Sequence, residues 1–418
     1  MLGLQPSDFF RPSDFFRPSD FGLRISPLPV TTPDIFYEIH PHSLNHAGEE
    51  LCGDQVKILR RADRSTVVLS DGLGSGVKAN ILATLTAEII VTMRREDARL
   101  EDIIETVLGT LPACKVRGIA YAAFVIAEIE HATGRFQLIN FDSPEPIFLC
   151  QGRVTPLAQR EETIQGKTLR FSEGRLERGD FLGLLSDGVL YAGMGTLMNF
   201  GWGREQIGAH LQALARGPVR SAENLVRSVM RKTNDLYDSA PGDDATFVGI
   251  LARKPNRLML FTGPPTDRAR DEELAQRLLH FDGRKAVCGG TTANLVAERL
   301  GEIVETDLGT VREDVPPIGW ISGVDLVTEG ILTMARTLAL LKQCAGHPLR
   351  LPADRNGAVL LARELLKADS IQFIVGEQVN PFYQNPLLPR NISIRHSLVE
   401  QLAETLRSYH RAVEIEWF

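Results

Sequence analysis

Apolar and polar residues begin to alternate at Ile35, where IFYEIH, QVKILR and STVVLSDG each read as a strand. The last two meet around the turn-forming pair Ala62-Asp63. After DGLGSG the period lengthens. In VKANILATLTAEIIVTMRR, Val77, Ile81, Leu85 and Ile89 recur at every fourth position, which predicts a long helix with one apolar face. A second helix is predicted over about 100–111. AYAAFVIAEIE and RFQLINF flank HATG, a hairpin in which Gly134 supplies the left-handed turn conformation. Strands are predicted near 145–150, 168–173 and 181–186, helices over 204–216 and 220–237, and a last strand at ATFVGILAR. Antiparallel strands interleaved with helix pairs predict an α+β arrangement of sheet layers covered by helices.

Near Pro255 the rhythm changes to strand, loop and helix. LMLFTGPPTD precedes DEELAQRLL, KAVCGGTTA precedes NLVAERLG, and SIQFIVG follows later. These units predict a second, Rossmann-like α/β domain over 257–418, closing on the helix SLVEQLAETLRSYH and the strand AVEIEW. A chain of 418 residues also exceeds the roughly 100–200 typical of one domain. The expected organisation is a tail over 1–30, a first domain over 31–255 and a second over 257–418. The tail repeats PSDFFR-like units whose Pro and Asp interrupt helix and sheet alike, so it reads as flexible, with a Phe-based docking motif as the alternative.

Composition narrows the partners. Hydrophobic residues at 43% and charged ones at 24% describe a folded soluble protein. A net charge of −7 argues against a general nucleic-acid binder, which needs a basic surface. Five widely separated cysteines without a CxxC pair argue against a zinc site or a disulfide framework and for a reducing compartment. No apolar run is read as reaching the roughly 20 residues of a membrane span, and the N-terminus lacks the pattern of a signal peptide. The expected location is therefore the cytoplasm, with no membrane partner.

The candidate chemistry lies in aspartates. Strands closing symmetrically around Ala62-Asp63 place Asp54 opposite Asp71. Two carboxylates at cross-strand distance repel unless a cation lies between them. Asp71 and Asp187 share a context, VVLSDG and GLLSDG, in which an apolar strand ends in Ser-Asp-Gly. The glycine lets backbone approach closely, so Gly72 can offer its carbonyl oxygen as a ligand. A fourth acidic site, GDDAT with Asp243 and Asp244, stands before the last strand. Taken singly, each Asp-Gly or Asp-Asp reads as an ordinary turn. Taken together, they read as one hard-oxygen centre that suits two Mg²⁺ or Mn²⁺ ions rather than zinc or copper. Such a pair can generate hydroxide and clamp a phosphoryl group for in-line attack, which is phosphomonoester hydrolysis.

The motifs GD at 53–54, DGLGSG at 71–76, SDG at 186–188 and GDDAT at 242–246 resemble, in this order, those of PP2C phosphatases, particularly the SpoIIE/RsbU-like bacterial branch. The resemblance covers about residues 33–253. It implies a PP2C-like β-sandwich flanked by helix pairs and a metal site at one edge. It also implies that Asp71 bridges two metals, that Gly72 ligates through its carbonyl, and that Asp54, Asp187 and Asp243 complete the shells, with Asp244 as a secondary member. The activity implied is a metal-dependent protein serine/threonine phosphatase in bacterial signalling, acting on a phosphorylated protein such as a regulatory protein. Two departures stand out. Leu73 occupies the place of a histidine found in many relatives, and Phe141-Asp142-Ser143 replaces a small-Gly-His stretch, leaving Asp142 as a loop residue or an addition to the site. Lys57, Arg60, Arg61 and Lys78 lie near the motifs in sequence and read as solvated charges, Lys78 on an exposed helix face.

In the second domain, CGGTTANLVAERLG and TGPPTD place small residues before helices, where free backbone N–H groups can hold an anion. The reading is either a nucleotide or phosphate site or ordinary strand–helix connections. No GxGxxG is present, and Glu305 and Asp307 only distantly resemble a ribose-binding acid. The stretch VPPIGWISGVDLVTEGILTMARTLALL runs from an exposed-type Trp320 into an apolar helix that reads as core. Two other functions stay open: a noncatalytic PP2C-like sensor that binds partners, and a small-molecule phosphohydrolase.

Overall fold

The computed structural model describes residues 34–110, 122–195, 197–217, 221–312, 315–378 and 391–418, so the repeated start over 1–30 lies outside the described residues. Residues Pro33–Phe418 form one compact unit.

Strands β1 (Phe36–Leu44), β2 (Asp54–Arg60) and β3 (Arg64–Gly72) are followed by helices α1 (Gly76–Arg95) and α2 (Leu100–Thr110). Next come β4 (Ala122–Glu130), β5 (Arg135–Phe141), β6 (Ile147–Cys150), β7 (Arg153–Thr155), β8 (Gln159–Ile164), β9 (Lys167–Arg175) and β10 (Phe181–Leu185). The short α3 (Asp187–Leu190), α4 (Arg204–Leu214), α5 (Ala222–Leu236) and β11 (Ala245–Arg253) complete this part. Two antiparallel sheets result, in the orders β1-β11-β10-β6-β7 and β2-β3-β4-β5-β9-β8.

The period-two alternation builds the layers. On β3, Val67 and Leu69 point into the core between the sheets, where they meet Val248 and Ile250 of β11. Val68 points the other way, to Ile90 of α1 and Ile103 of α2. On β11, Phe247 and Leu251 face Leu211 of α4 and Val226 of α5. The order of layers is helix pair, sheet, sheet, helix pair. The β4–β5 hairpin turns at Gly134, whose φ is +72° as its turn requires.

The direction of α1 differs from the simplest reading of its apolar stripe. Its packed positions are Ala79, Ala83, Thr86, Ala87 and Ile90, whereas of the predicted stripe Val77, Ile81 and Leu85 are exposed and Ile89 is half-buried against the core. Small residues let the helix lie close to β3, and the bulkier stripe is left outside. The helix also corrects the expectation that no segment suits a membrane span. By length and composition α1 is long and apolar enough, because only Lys78 and Glu88 interrupt its first eighteen residues.

The rest of the chain contains β12 (Arg257–Thr262), α6 (Asp271–Leu279), β13 (Arg284–Cys288), α7 (Gly290–Leu300), β14 (Glu305–Asp307), β15 (Ile318–Trp320) and β16 (Leu326–Thr328). It ends with α8 (Ile331–Cys344), α9 (Gly357–Lys367), β17 (Ser370–Val375), α10 (Asn391–Ser408) and β18 (Ala412–Trp417). One sheet runs β14-β15-β16-β13-β12-β17-β18, in which β16, β13, β12, β17 and β18 are parallel neighbours. Leu258, Leu260 and Phe373 pack toward α8, α9 and α10. Met259, Phe261 and Val287 pack toward α6 and α7 on the opposite face. The apolar helix after Trp320 is core, with Met334 and Leu341 fully buried, while Trp320 itself is exposed.

Candidate active site

The β2–β3 hairpin brings the first two carboxylates together. Its register pairs Asp54 with Asp71, as the symmetric turn predicts, and continues through Gln55 with Ser70 to Arg60 with Ser65. Asp187 opens α3 at the end of β10, and Asp243 and Asp244 precede β11, the neighbour of β10. The two corners interlock. The Ser186 N–H donates to the Thr246 carbonyl at 3.0 Å, and the Thr246 N–H donates to Ser186 Oγ at 2.8 Å. The motif glycines are required by close approach: a Cβ on Gly188 would run into the Asp244 carbonyl, and one on Gly72 into the Ala79 carbonyl of α1.

The five aspartates are linked through a chain of pairwise charge interactions. Asp54 and Asp244 form the floor, exposed by only 3% and 4%. Burial, with Asp244 and Asp187 adding to it, raises Asp54 to about 7. The nearby Ser186 and Thr246 hydroxyls oppose the rise. Neither meets hydrogen-bond geometry, however, and both Asp54 oxygens lack a donor. Asp71, Asp187 and Asp243 are half-buried and line the mouth. Burial and then the Asp54, Asp187 and Asp243 charges push Asp71 up to about 9. Asp243 rises to about 6 through burial and Asp187. Burial raises Asp187 as well, against a close interaction with Asp71 that holds it down.

Several neighbours carried no motif signal. The His46 N–H donates to Asp244 Oδ1 at 3.0 Å. His46 Nδ1 lies 3.7 Å from Glu49 Oε1, and Glu49 Oε2 is buried without a partner, as is Asp244 Oδ2. Tyr237, at the end of α5, donates from its hydroxyl to the Gly188 carbonyl at 2.8 Å. Burial, Asp243 and Asp187 raise this phenol to about 12. Only the proximity of His46 and Glu49 to Asp54 in the chain could have pointed to them.

The other candidates lie elsewhere. Lys57 pairs with Glu88 at 2.6 Å, Arg61 pairs with Asp97 at 2.7 Å, and Arg60 donates to the Tyr37 carbonyl. Lys78 is exposed on α1. Asp142 is exposed, has a φ of +54° and bridges Phe124.

A divalent cation fits the donor set. The floor buries carboxylate oxygens that have no donor, an arrangement that disfavours their charged form unless a cation compensates. Oxygen ligands without sulfur or imidazole suit Mg²⁺ or Mn²⁺. Among the described residues, no three acidic, histidine or cysteine side chains converge as a ready-made cage. Magnesium commonly takes one or two carboxylates and keeps several waters, so it does not need one.

Residues 61–253 match the family model for stage II sporulation protein E, SpoIIE. Among solved structures, the phosphatase domain of SpoIIE from Bacillus subtilis is 14% identical, covering 53% of this chain and 95% of that one, with a TM-score of 0.41. The RsbU and RsbW domains of a Mycobacterium tuberculosis protein are 18% identical, covering 59% and 70%, at 0.45. The SiaA PP2C domain of Pseudomonas aeruginosa is 17% identical, covering 50% and 84%, at 0.40. No curated protein matches the chain.

Proposed function

We propose that residues 31–255 form a Mg²⁺- or Mn²⁺-dependent protein serine/threonine phosphatase of PP2C type, acting in bacterial signalling. The observation that carries this reading is the pairing of Asp54 with Asp71, two carboxylates that also feel the charges of Asp187, Asp243 and Asp244. Asp71, pressed by three other carboxylates, would be the first of the residues that hold the ions. Asp54 and Asp244 would hold charge from the floor, Asp187 and Asp243 from the mouth, and the Gly72 carbonyl would add an oxygen next to Asp71. When bound, the ions supply an activated water and neutralise charge on a phosphoryl group.

The chain's own residues fix where this happens. The Ser186–Thr246 bonds and the Tyr237 hydroxyl hold the two aspartate corners in register, so the carboxylates need not reorganise. Leu73 offers no proton to a leaving group, which is therefore left to water. In residues 257–418, the five parallel strands run third, second, first, fourth, fifth in chain order. This supports a Rossmann-like domain with its switch point between β12 and β17.

The deciding experiment is hydrolysis of p-nitrophenyl phosphate with Mn²⁺. Activity should vanish on chelation, and Asp187→Asn should lower it at least about 100-fold, the scale of losing one preorganised electrostatic group. Mn²⁺ binding by calorimetry with no turnover would instead establish a noncatalytic sensor.

A further inference from the structure

Between residues 34 and 255, every exposed large apolar side chain among the described residues lies on a segment flanking Asp54, Asp71 or Asp187. Leu51 precedes Asp54, Val77 begins the α1 stripe after Asp71, and Tyr191, Met194, Leu197 and Phe200 follow Asp187. The group after Asp187 is the most exposed, with Leu197 at 67% and Phe200 at 86%.

The loop that carries these four is tied down at its base. The Tyr191 N–H donates to the Asp187 carbonyl at 2.8 Å, and the Gly203 N–H donates to the Leu190 carbonyl at 2.9 Å. Gly201 returns so close that a Cβ there would lie 2.6 Å from the Tyr191 Cα. The loop thus leaves and rejoins the structure one helical turn after Asp187. Its own bonds, Met194 N–H to the Tyr191 carbonyl and Met198 N–H to the Gly193 carbonyl, both at 3.0 Å, keep it compact. Ala192 and Trp202 are buried at the base, so the loop already has its own anchors. Leu197 and Phe200, by contrast, leave most of their surface in solvent. Exposed apolar side chains gathered on one short loop mark an interaction site.

We infer that the loop residues 191–195 and 197–201 dock the polypeptide that carries the phosphoryl group, by covering apolar residues that flank the phosphorylated one. This rests on the hydrolase reading above and adds the chemistry of the substrate to it. With its ions bound, the carboxylate cluster would receive the phosphoryl group, and the exposed apolar side chains on the loop that follows Asp187 take what is attached. A phosphorylated metabolite has no such surface to cover.

The test uses the full chain with Mn²⁺ and two substrates: p-nitrophenyl phosphate, and a phosphoserine peptide library with random flanking residues. The wild type should hydrolyse peptides with Leu, Ile or Phe near the phosphoserine at least about tenfold faster than those with polar flanks, the scale of burying one such side chain. The double variant Leu197→Ser with Phe200→Ser should lose this preference through KM, with aryl phosphate turnover unchanged. Phe200→Leu should retain it. No preference in the wild type, or a preference that survives the double variant, overturns the docking assignment while leaving the hydrolase reading intact. Loss of wild-type self-association in the double variant, with peptide preference unchanged, would assign the tip to a second copy of the chain and also overturn it. No turnover of either substrate by the wild type would remove the hydrolase reading, and this inference with it.

Discussion

Asp71 is crowded by more of the cluster's charge than the other aspartates, since burial and the Asp54, Asp187 and Asp243 charges together raise it to about 9. Asp54 follows at about 7. A carboxylate whose folded value is raised binds its proton more tightly when folded. Its contribution to stability is complete below the ordinary carboxylate range and is lost as pH rises through the folded value. His40, His42 and His131 are lowered by burial and act with the opposite sign, but only up to about pH 6.5, where the unfolded imidazole is already neutral. Between about pH 6.5 and 9 the aspartates therefore decide the slope. In chelator, the melting temperature should fall across that window, and Mn²⁺ should remove the fall by compensating the carboxylates. Asp71→Asn should flatten the chelated profile and raise the melting temperature at pH 9 by several degrees, the shift that about 1 kcal/mol produces in a domain of this size. A chelated profile that is level from pH 6.5 to 9 would contradict the assigned burial of charge.

At the scale of elements, α1 shows what periodicity can and cannot say. Four-residue spacing revealed a stripe at Val77, Ile81 and Leu85, but a helix carries faces, and spacing does not say which one packs. The small residues decide it. Gly72 admits the Ala79 carbonyl, and Ala79, Ala83 and Ala87 let α1 settle on β3. Gly72→Ala should push the helix away, cost about 1–3 kcal/mol in urea unfolding and weaken Mn²⁺ binding at the adjacent Asp71. Ile81→Ser on the outer stripe should change stability by less than about 0.5 kcal/mol. Equal losses from the two would mean that α1 packs through its bulky stripe. The Asp54–Asp71 register was legible for a different reason, namely that a tight turn fixes every pairing behind it. The polar strand β8, QREETI, has no alternation to read, and every residue but its last is exposed. Helix α9 does carry a readable start, Asn356 capping the Val359 N–H, yet it is absent from the predicted elements. His46, Glu49 and Tyr237 reach the site through tertiary packing, which spacing along the chain does not encode.

For the whole molecule, the connection between β11 and β12 is too short to swing freely, and one buried carboxylate ties it down. Asp369, exposed by only 4%, accepts from Arg253 Nη1 at 2.6 Å, from Arg253 Nη2 at 3.2 Å and from the Asn256 N–H at 2.7 Å. Arg411 lies 3.8 Å away. Arg253 also donates to Glu38 at 2.5 Å and lies over the Phe36 ring. The start of β1, the end of β11 and the leading ends of β12, β17 and β18 thus meet around one ion network. Burial lowers Arg411 and Arg60 within it, so these guanidiniums depend on the carboxylate for compensation. Removing one partner of a buried pair leaves the other charge uncompensated, at a cost of about 3–5 kcal/mol. Asp369→Ala should therefore split unfolding into two transitions in calorimetry. The parallel sheet should lose hydrogen-exchange protection first, and Mn²⁺ affinity should stay unchanged, because the aspartate cluster lies at the opposite end of β11. A single transition weakened by less than about 1 kcal/mol would show that apolar packing, not this network, joins the two halves.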